Sequence, residues 1–318
     1  MPQTFPTLVF MTFLCIIFVL ALEQLKASPA ARLMVWQAAY AGFLEHQFNG
    51  GEHRHGVTAW MVGVALPALL VLLLHFGLDF LHPLLSFGFD FVVLYLVMGF
   101  RQFSHFFTDI QLALRTGELE RARHLLAQWR GVSADRLGST EIARLAIEQG
   151  IVSSHRDVFA PLLWFMVLGP AGAVLYRLSI GMSQHWAVSA WPTAQTDNFS
   201  QFARQAFQVI DWLPARLTAV TFAIVGDFED AVYCWRTQAG QWADASSGIL
   251  LASGAGALGV KLGLPLPDLV GIETRPELGL GDDADIEHLQ SAIGLVWRAL
   301  VLCLLLLALL TVASWVGP

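Results

Sequence analysis

The chain has 318 residues, of which 56% are hydrophobic and only 14% are charged. Soluble globular domains carry about 25% charged residues, so this composition indicates an integral membrane protein with the lipid bilayer as its first partner. The formal net charge of −7 excludes a strongly basic surface for nucleic acid. Three widely spaced cysteines predict neither a disulfide framework nor a zinc site.

Four apolar segments are long enough to cross a bilayer, which takes about 17–25 residues. They are residues 6–22, 57–78, 84–100 and 299–316. The first lacks the basic residues that precede a cleaved signal sequence, so we expect it to be retained as a span. The second and third are separated by a tight turn and predict a helical hairpin. Asp90 lies inside the third segment, where it is either a functional acid or a solvated interfacial one.

Residues 101–156 carry eight of the eighteen Lys and Arg residues, all of them Arg. Such a bias marks the cytoplasmic side, which puts the N-terminus and Pro318 outside. Apolar residues recur at helical spacing within 103–147, so the segment predicts amphipathic helices. One helix should run from Phe103 to about Leu114, a second should carry Leu119 to Trp129, and Ser139 or Thr140 should cap a third.

Residues 158–180 are apolar on either side of a Gly-Pro-Ala-Gly sequence. They form either a fifth span or two helical halves of a re-entrant hairpin, and the hairpin is favoured because it keeps Arg177 near the cytoplasmic face. The predicted fold is all-α: a polytopic helical membrane protein with four full spans plus a re-entrant hairpin, or five spans. Residues 1–318 form a single membrane domain with 101–156 as a cytoplasmic helical insertion, and the protein is multi-pass in the cytoplasmic (inner) membrane.

Several motifs carry both a chemical and a structural interpretation. The acidic and histidine residues between Glu45 and His55 are interpreted as an interfacial loop rather than a metal site. The sequence GAGALG, residues 254–259, is interpreted as helix packing rather than nucleotide binding. Pro214 suits the first turn of a helix, so Asp211 and Arg216 mark a helix start or an anion site. The acidic loop 281–283 is solvated or holds Mg²⁺.

Five short motifs occur in a familiar order: GELERARHLL, FAPLLWFMVLGPAGAVLYRL, DWLPARL, SGAGALGVKLG and GDDADIEHLQ. From about residue 55 to its end, the chain resembles the CobD/CbiB family, the membrane adenosylcobinamide-phosphate synthases of cobalamin biosynthesis. It is also similar to the AmpE membrane proteins, divergent relatives tied to β-lactamase regulation.

The resemblance to CobD/CbiB implies an ATP-dependent amide ligation that joins a corrinoid carboxylate to aminopropanol or its phosphate. It implies Mg²⁺ and ATP as cofactors and a corrinoid or a nucleotide as ligand. The resemblance to AmpE implies instead a non-enzymatic regulator or binding scaffold with a membrane or cytoplasmic protein partner.

Several acids of the family pattern are replaced here. Glu148 matches the first acid of Glu-x-x-x-Glu-Asn-x-x-Asp, whereas Val152, Ser153 and Arg156 stand where the second acid, the Asn and the Asp belong. Phe207 and Gln208 replace an Asp-Asp pair. These departures predict a degenerate active site. The residues left are distributed by role: Glu148 and Asp157 as catalytic candidates, Arg156 and Arg216 as anion-binding candidates, and Asp282 and Asp283 as metal ligands.

Overall fold

The computed structural model describes residues 5–25, 30–189, 198–267, 272–273 and 275–316. Within these residues the fold is overwhelmingly helical, which confirms the predicted all-α class. The α-helices are α1 Phe5–Leu25, α2 Ala30–Phe48, α3 His53–Trp60, α4 Leu66–Leu81, α5 Pro83–Val97, α6 Phe100–Arg115, α7 Leu119–Arg130, α8 Ser139–Ser154, α9 Ala160–Ser189, α10 Asn198–Val225, α11 Phe228–Gln238, α12 Ala245–Leu258 and α13 Ile286–Val316. The N-terminal and C-terminal ends named in the topology prediction, including Pro318, lie outside the described residues.

Single π-helical turns join two pairs of these helices. Met61–Ala65 continues α3 into α4, and His155–Phe159 continues α8 into α9. A short 3₁₀ turn, Ala239–Gln241, follows α11. Because isolated π turns in helices often occur at functional sites, the second one marks a segment of interest, and it contains Arg156 and Asp157.

Short strands follow α12, a feature that the sequence analysis did not predict. They are β1 Val260–Gly263, β2 Leu266–Pro267, β3 Ile272–Glu273, β4 Glu277–Leu278 and β5 Asp282–Asp283. Strand β1 pairs antiparallel with β4 and parallel with β5, and β2 pairs antiparallel with β3. Helix α12 ends at Leu258, because Gly259, the last residue of the GAGALG sequence, adopts a left-handed conformation with φ of 66°.

Four helical stretches are long and apolar enough to cross a membrane. They are His53–Leu81, Ser139–Ala187, Asn198–Val225 and Ile286–Trp315, and shorter apolar helices cover Val9–Leu25, Pro83–Val97 and Ala245–Leu258. This pattern is that of a polytopic membrane protein. The stretch Asn198–Val225 was not predicted. Its best window has a mean hydropathy of only 1.2, because charged residues such as Arg204 and Asp211 interrupt the apolar sequence.

Helix α9 reverses direction at Gly169. This glycine has φ of 62° and ψ of −151°, a backbone region open essentially to glycine alone. A Cβ atom built on Gly172 would lie 2.2 Å from the carbonyl oxygen of Trp164, although these residues would be about 12 Å apart in a straight helix. Arg177 Nη1 also lies 2.6 Å from Asp157 Oδ1. Residues 158–180 therefore form the favoured helical hairpin and not a single straight helix.

Apolar side chains are exposed at the tip of this hairpin, and other apolar side chains pack its base against α2. Val167 and Leu168 at the tip are 61% and 44% exposed, as expected for side chains that meet lipid. Below Arg177, the second limb packs on α2: Trp186 is fully buried and its indole N–H donates to the Ala41 carbonyl oxygen at 3.0 Å.

The amphipathic helices of 101–156 form largely as predicted. Helix α6 ends before Gly117, which has φ of 75°, and α7 buries Ala122 and Leu126. The predicted cap of α8 is wrong by one residue: Gly138 is the N-cap, and its amide N–H donates to the Glu141 carboxylate.

The chain separates into two compact units, each assembled from distant stretches. The first consists of Met1–Phe100, Asp157–Leu213 and Leu307–Pro318. The second consists of Arg101–Arg156 and Pro214–Leu306. Residues 101–156, predicted as an insertion within one domain, thus share a compact unit with α11, α12 and the strands.

Candidate functional site

Glu148 lies near the middle of α8 and is only 6% exposed. One carboxylate oxygen accepts the backbone N–H of Gly263 at 2.8 Å, and the other forms an ion pair with the guanidinium of Arg275. The Arg275 guanidinium also lies 5.0 Å from the ring centre of Trp242, a cation–π contact. Both oxygens of the predicted catalytic acid are therefore engaged by partners that the sequence analysis did not identify.

Arg144 precedes Glu148 by one helical turn and is also 6% exposed. Its Nε atom is buried and has no hydrogen-bond partner among the residues that the structure describes. The charges of Glu148 and Arg275 act on it most strongly among its neighbours. Sequence reasoning missed Arg144, since a single Arg on an amphipathic helix is normally solvated. It also missed Arg275, which lies outside the helices, shortly before β4.

Arg156 lies in the π-helical turn after α8 and points at the start of α12. Its Nη2 donates to Ser247 Oγ at 3.3 Å and lies 3.7 Å from Asp244 Oδ2. Asp244 in turn caps α12 by accepting the Ser247 N–H at 3.1 Å. The anion-binding role of Arg156 stays a prediction. In this structure its guanidinium contacts Asp244 and Ser247 at the N-terminus of α12.

Asp157 belongs to the first unit, whereas Glu148 belongs to the second. Its carboxylate pairs with Arg177 across the base of the α9 hairpin, and the two side chains are 16% and 14% exposed. This pairing explains how the hairpin closes. A catalytic role for Asp157 stays a prediction.

The predicted helix start at Pro214 is wrong, because Pro214 lies inside α10, which begins at Asn198. Asp211 is 1% exposed and accepts a hydrogen bond from the Tyr176 hydroxyl at 2.9 Å. An anion site at a helix N-terminus needs free amide groups, which a position inside a helix does not offer. Arg216 stays a predicted anion-binding residue without that support.

Asp282 and Asp283 form strand β5 and are both exposed. Successive side chains of a strand point to opposite faces, so the two carboxylates are poorly placed to share one ion. No group of three or more His, Cys, Asp or Glu side chains that could hold a metal occurs in the described part of the chain. The residues therefore do not fit the Mg²⁺ site that the resemblance implies, and their metal role stays a prediction.

Two further interpretations from the sequence can be compared with the structure. Asp90 is neither free nor simply solvated, because its Oδ1 lies 2.8 Å from His75 Nδ1 within the α4–α5 hairpin. The GAGALG sequence packs helices as interpreted: Gly254 faces Ile151, and Gly256 faces the Asp230 carbonyl oxygen.

Comparison with known proteins agrees with the fold and the motifs. A family model described as CobD/CbiB protein matches residues 16–296. The chain is 36% identical over 300 residues to the cobalamin biosynthesis protein CobD of Stutzerimonas stutzeri, covering 93% of this chain and 96% of that protein. It is 34% identical over 218 residues to that of Chromobacterium violaceum, with 69% of each covered, and 28% identical over 192 residues to that of Mycobacterium tuberculosis, with 57% and 58% covered.

No solved structure matches the chain significantly. The relatives named above carry the cobalamin name, so these comparisons do not favour the AmpE-like alternative. The family model spans most of the chain, and the first relative is similar over nearly its whole length. The chain belongs to the CobD/CbiB family of cobalamin biosynthesis proteins.

Proposed function

We propose that this chain acts in cobalamin biosynthesis at the cytoplasmic (inner) membrane as a cobinamide-phosphate synthase-like protein with a degenerate ligation site. In this proposal it binds a corrinoid intermediate but does not form the amide bond. The observation that carries the proposal is the state of Glu148: the one acid retained from its motif is held by Arg275 and by a backbone amide.

The chemistry of amide ligation explains why the replaced acids matter. Activating a carboxylate at the expense of ATP concentrates negative charge on phosphate groups, which Mg²⁺ and cationic side chains must stabilise. Carboxylates hold that ion. Here Ser153 is buried and accepts a hydrogen bond from Gln149 at 3.1 Å, and Phe207 packs against Tyr176 with ring centres 5.8 Å apart. Neither side chain replaces a carboxylate.

Arg156 strengthens this argument, since it brings a positive charge to a position where the family pattern has an acid. It is fixed by Ser247 and Asp244, so its side chain stabilises α12. A dication would meet repulsion there and not a ligand.

Genetic complementation tests the catalytic half of the proposal. We expect that this chain, produced in a strain that lacks its cobinamide-phosphate synthase, does not restore cobalamin-dependent growth without added cobinamide. A functional synthase of the family is the positive control, and immunoblotting of the membrane fraction verifies that the chain is made. Restored growth would show that the site is active.

Equilibrium dialysis tests the binding half. The purified full chain in detergent should retain cobinamide above the level found with detergent alone, and the visible absorbance of the corrinoid gives the bound fraction directly. Equal cobinamide concentrations on both sides of the dialysis membrane would contradict the corrinoid-binding part of the proposal.

A further inference from the structure

Arg144 carries a buried guanidinium group on α8. Its side chain lies inside the second unit and is only 6% exposed, and its Nε atom is buried with no hydrogen-bond partner among the residues that the structure describes. A buried cation without a partner is strongly unfavourable, because it has lost its hydration and gained nothing in return. Buried polar groups in native proteins nearly always have a partner, so Arg144 requires one beyond the residues that the structure describes.

Arg275 offers a second set of unused donors. Its Nη2 is bound to Glu148, but its Nη1 is buried and has no partner within the described part of the chain. The Trp242 ring and the Glu148 carboxylate fix the orientation of this guanidinium. Arg144 and Glu148 lie four residues apart, on the same face of α8, and Glu148 binds Arg275. Two positive groups with unsatisfied N–H donors therefore flank the same carboxylate within one unit.

The charges at this position do not balance. Arg144 and Arg275 contribute two positive charges, and among the residues that the structure describes Glu148 contributes the one carboxylate in direct contact with Arg275. Glu141 and Asp283 also act on Arg144, but Glu141 accepts the Gly138 N–H and Asp283 is exposed on β5. One positive charge therefore remains for an anion to neutralise.

We propose that Arg144 and Arg275 form an anion-binding site for a phosphate or carboxylate group. Guanidinium groups present planar pairs of N–H donors that match the oxygens of these two anions. Glu148 then acts as the positioning residue that holds Arg275, which gives the retained acid a role that needs no catalysis. The site stands whether or not the chain binds a corrinoid, so its test is separate from that of the proposed function.

Isothermal titration calorimetry of the full chain in detergent tests the site, with inorganic phosphate and acetate as probes. We expect saturable binding of at least one ion by the wild-type protein, and weakening by about tenfold or more in Arg144→Gln, the loss of a charge-assisted hydrogen bond. Tighter binding of phosphate identifies a phosphate site, and tighter binding of acetate identifies a carboxylate site. Arg121→Gln is the matched control, because Arg121 is exposed and forms a surface ion pair with Glu118 at 3.1 Å.

A thermal measurement keeps the test valid if Arg144→Gln folds poorly. Without either anion, Arg144→Met should melt at or above the wild-type temperature, because it removes an unpaired buried charge. Added phosphate or acetate should raise the wild-type melting temperature and leave Arg144→Met unchanged. The proposal is overturned if neither ion binds the wild-type protein, if Arg144→Gln binds as well as wild type, or if Arg144→Met melts lower without anion.

Discussion

Cys234 shows how burial controls chemistry at a single residue. It is fully buried on α11, and burial first, with the charge of Asp230 second, raises the pKa of its thiol from 9.0 to about 11. The reactive thiolate is therefore scarce at neutral pH. We expect a water-soluble maleimide at pH near 8 to leave Cys234 unmodified in the native protein and to modify it in SDS, as read by peptide mass spectrometry.

The exposed position Thr237 on the same helix provides the control, and Thr237→Cys should react readily. The raised pKa also determines how the stability of the fold depends on pH. Between pH 9.0 and about 11 the unfolded chain loses a proton that the native state keeps, so stability falls as the pH rises. Rapid native labelling of Cys234 would contradict this account.

Asp285 caps the long C-terminal helix α13. Its carboxylate accepts the backbone N–H groups of Glu287 and His288 at 2.9 and 3.0 Å, and the His288 amide is the main cause that lowers the pKa of Asp285 below 3.8. We expect Asp285→Ala to reduce stability by about 1 kcal/mol, as for other helix caps, whereas Asp285→Asn keeps most of the effect.

The lowered pKa gives this cap a defined pH dependence. Its contribution is fully present above pH 3.8 and is lost as the pH falls through the still lower native value. The melting temperatures of wild type and Asp285→Ala should therefore become equal in acid. The difference in melting temperature between Asp285→Asn and Asp285→Ala should stay constant, because an asparagine does not titrate. A constant difference between wild type and Asp285→Ala at all pH values would rule out the carboxylate cap.

At the scale of elements, the α9 hairpin depends on Gly169. An alanine at this position would be forced into a backbone region that costs on the order of 1–3 kcal/mol. Gly169→Ala should lower the free energy of unfolding by that amount in SDS titrations of mixed micelles. Gly88→Ala is the control, since an added Cβ on Gly88 in α5 meets no atom within 4 Å. Equal stability of Gly169→Ala and wild type would exclude the reversal at Gly169.

Local patterns predict elements better than the pairing between them. The apolar periodicity and the glycine positions locate α6, α7 and the hairpin turn from sequence. Helix α10 was not predicted because its charged residues lower its mean hydropathy. The burial of these residues depends on tertiary contacts, such as the hydrogen bond that Asp211 accepts from Tyr176. Only one side of the candidate site could be predicted from the sequence. Glu148 stands in a recognisable motif, whereas its partner Arg275 lies 127 positions away in sequence, and only the fold brings the two together.

At the scale of the whole molecule, the hairpin makes a prediction about topology. A segment that reverses at Gly169 returns to the side from which it entered, so the chain before residue 157 and the chain after residue 181 lie on one side. Arg121→Cys and Gln184→Cys, both at exposed positions, should be labelled by an impermeant thiol reagent from the cytoplasmic side. Labelling from opposite sides would replace the re-entrant hairpin with a spanning segment.

We propose that this member of a cobalamin biosynthesis family does not catalyse the ligation. The most direct measurement incubates the purified chain with the corrinoid carboxylate, aminopropanol phosphate, ATP and Mg²⁺, and quantifies the amide product by mass spectrometry beside a functional synthase of the family. We expect product from the functional synthase and none above the protein-free level from this chain. Amide product formed over many turnovers by this chain, and lost in Glu148→Gln, would contradict it.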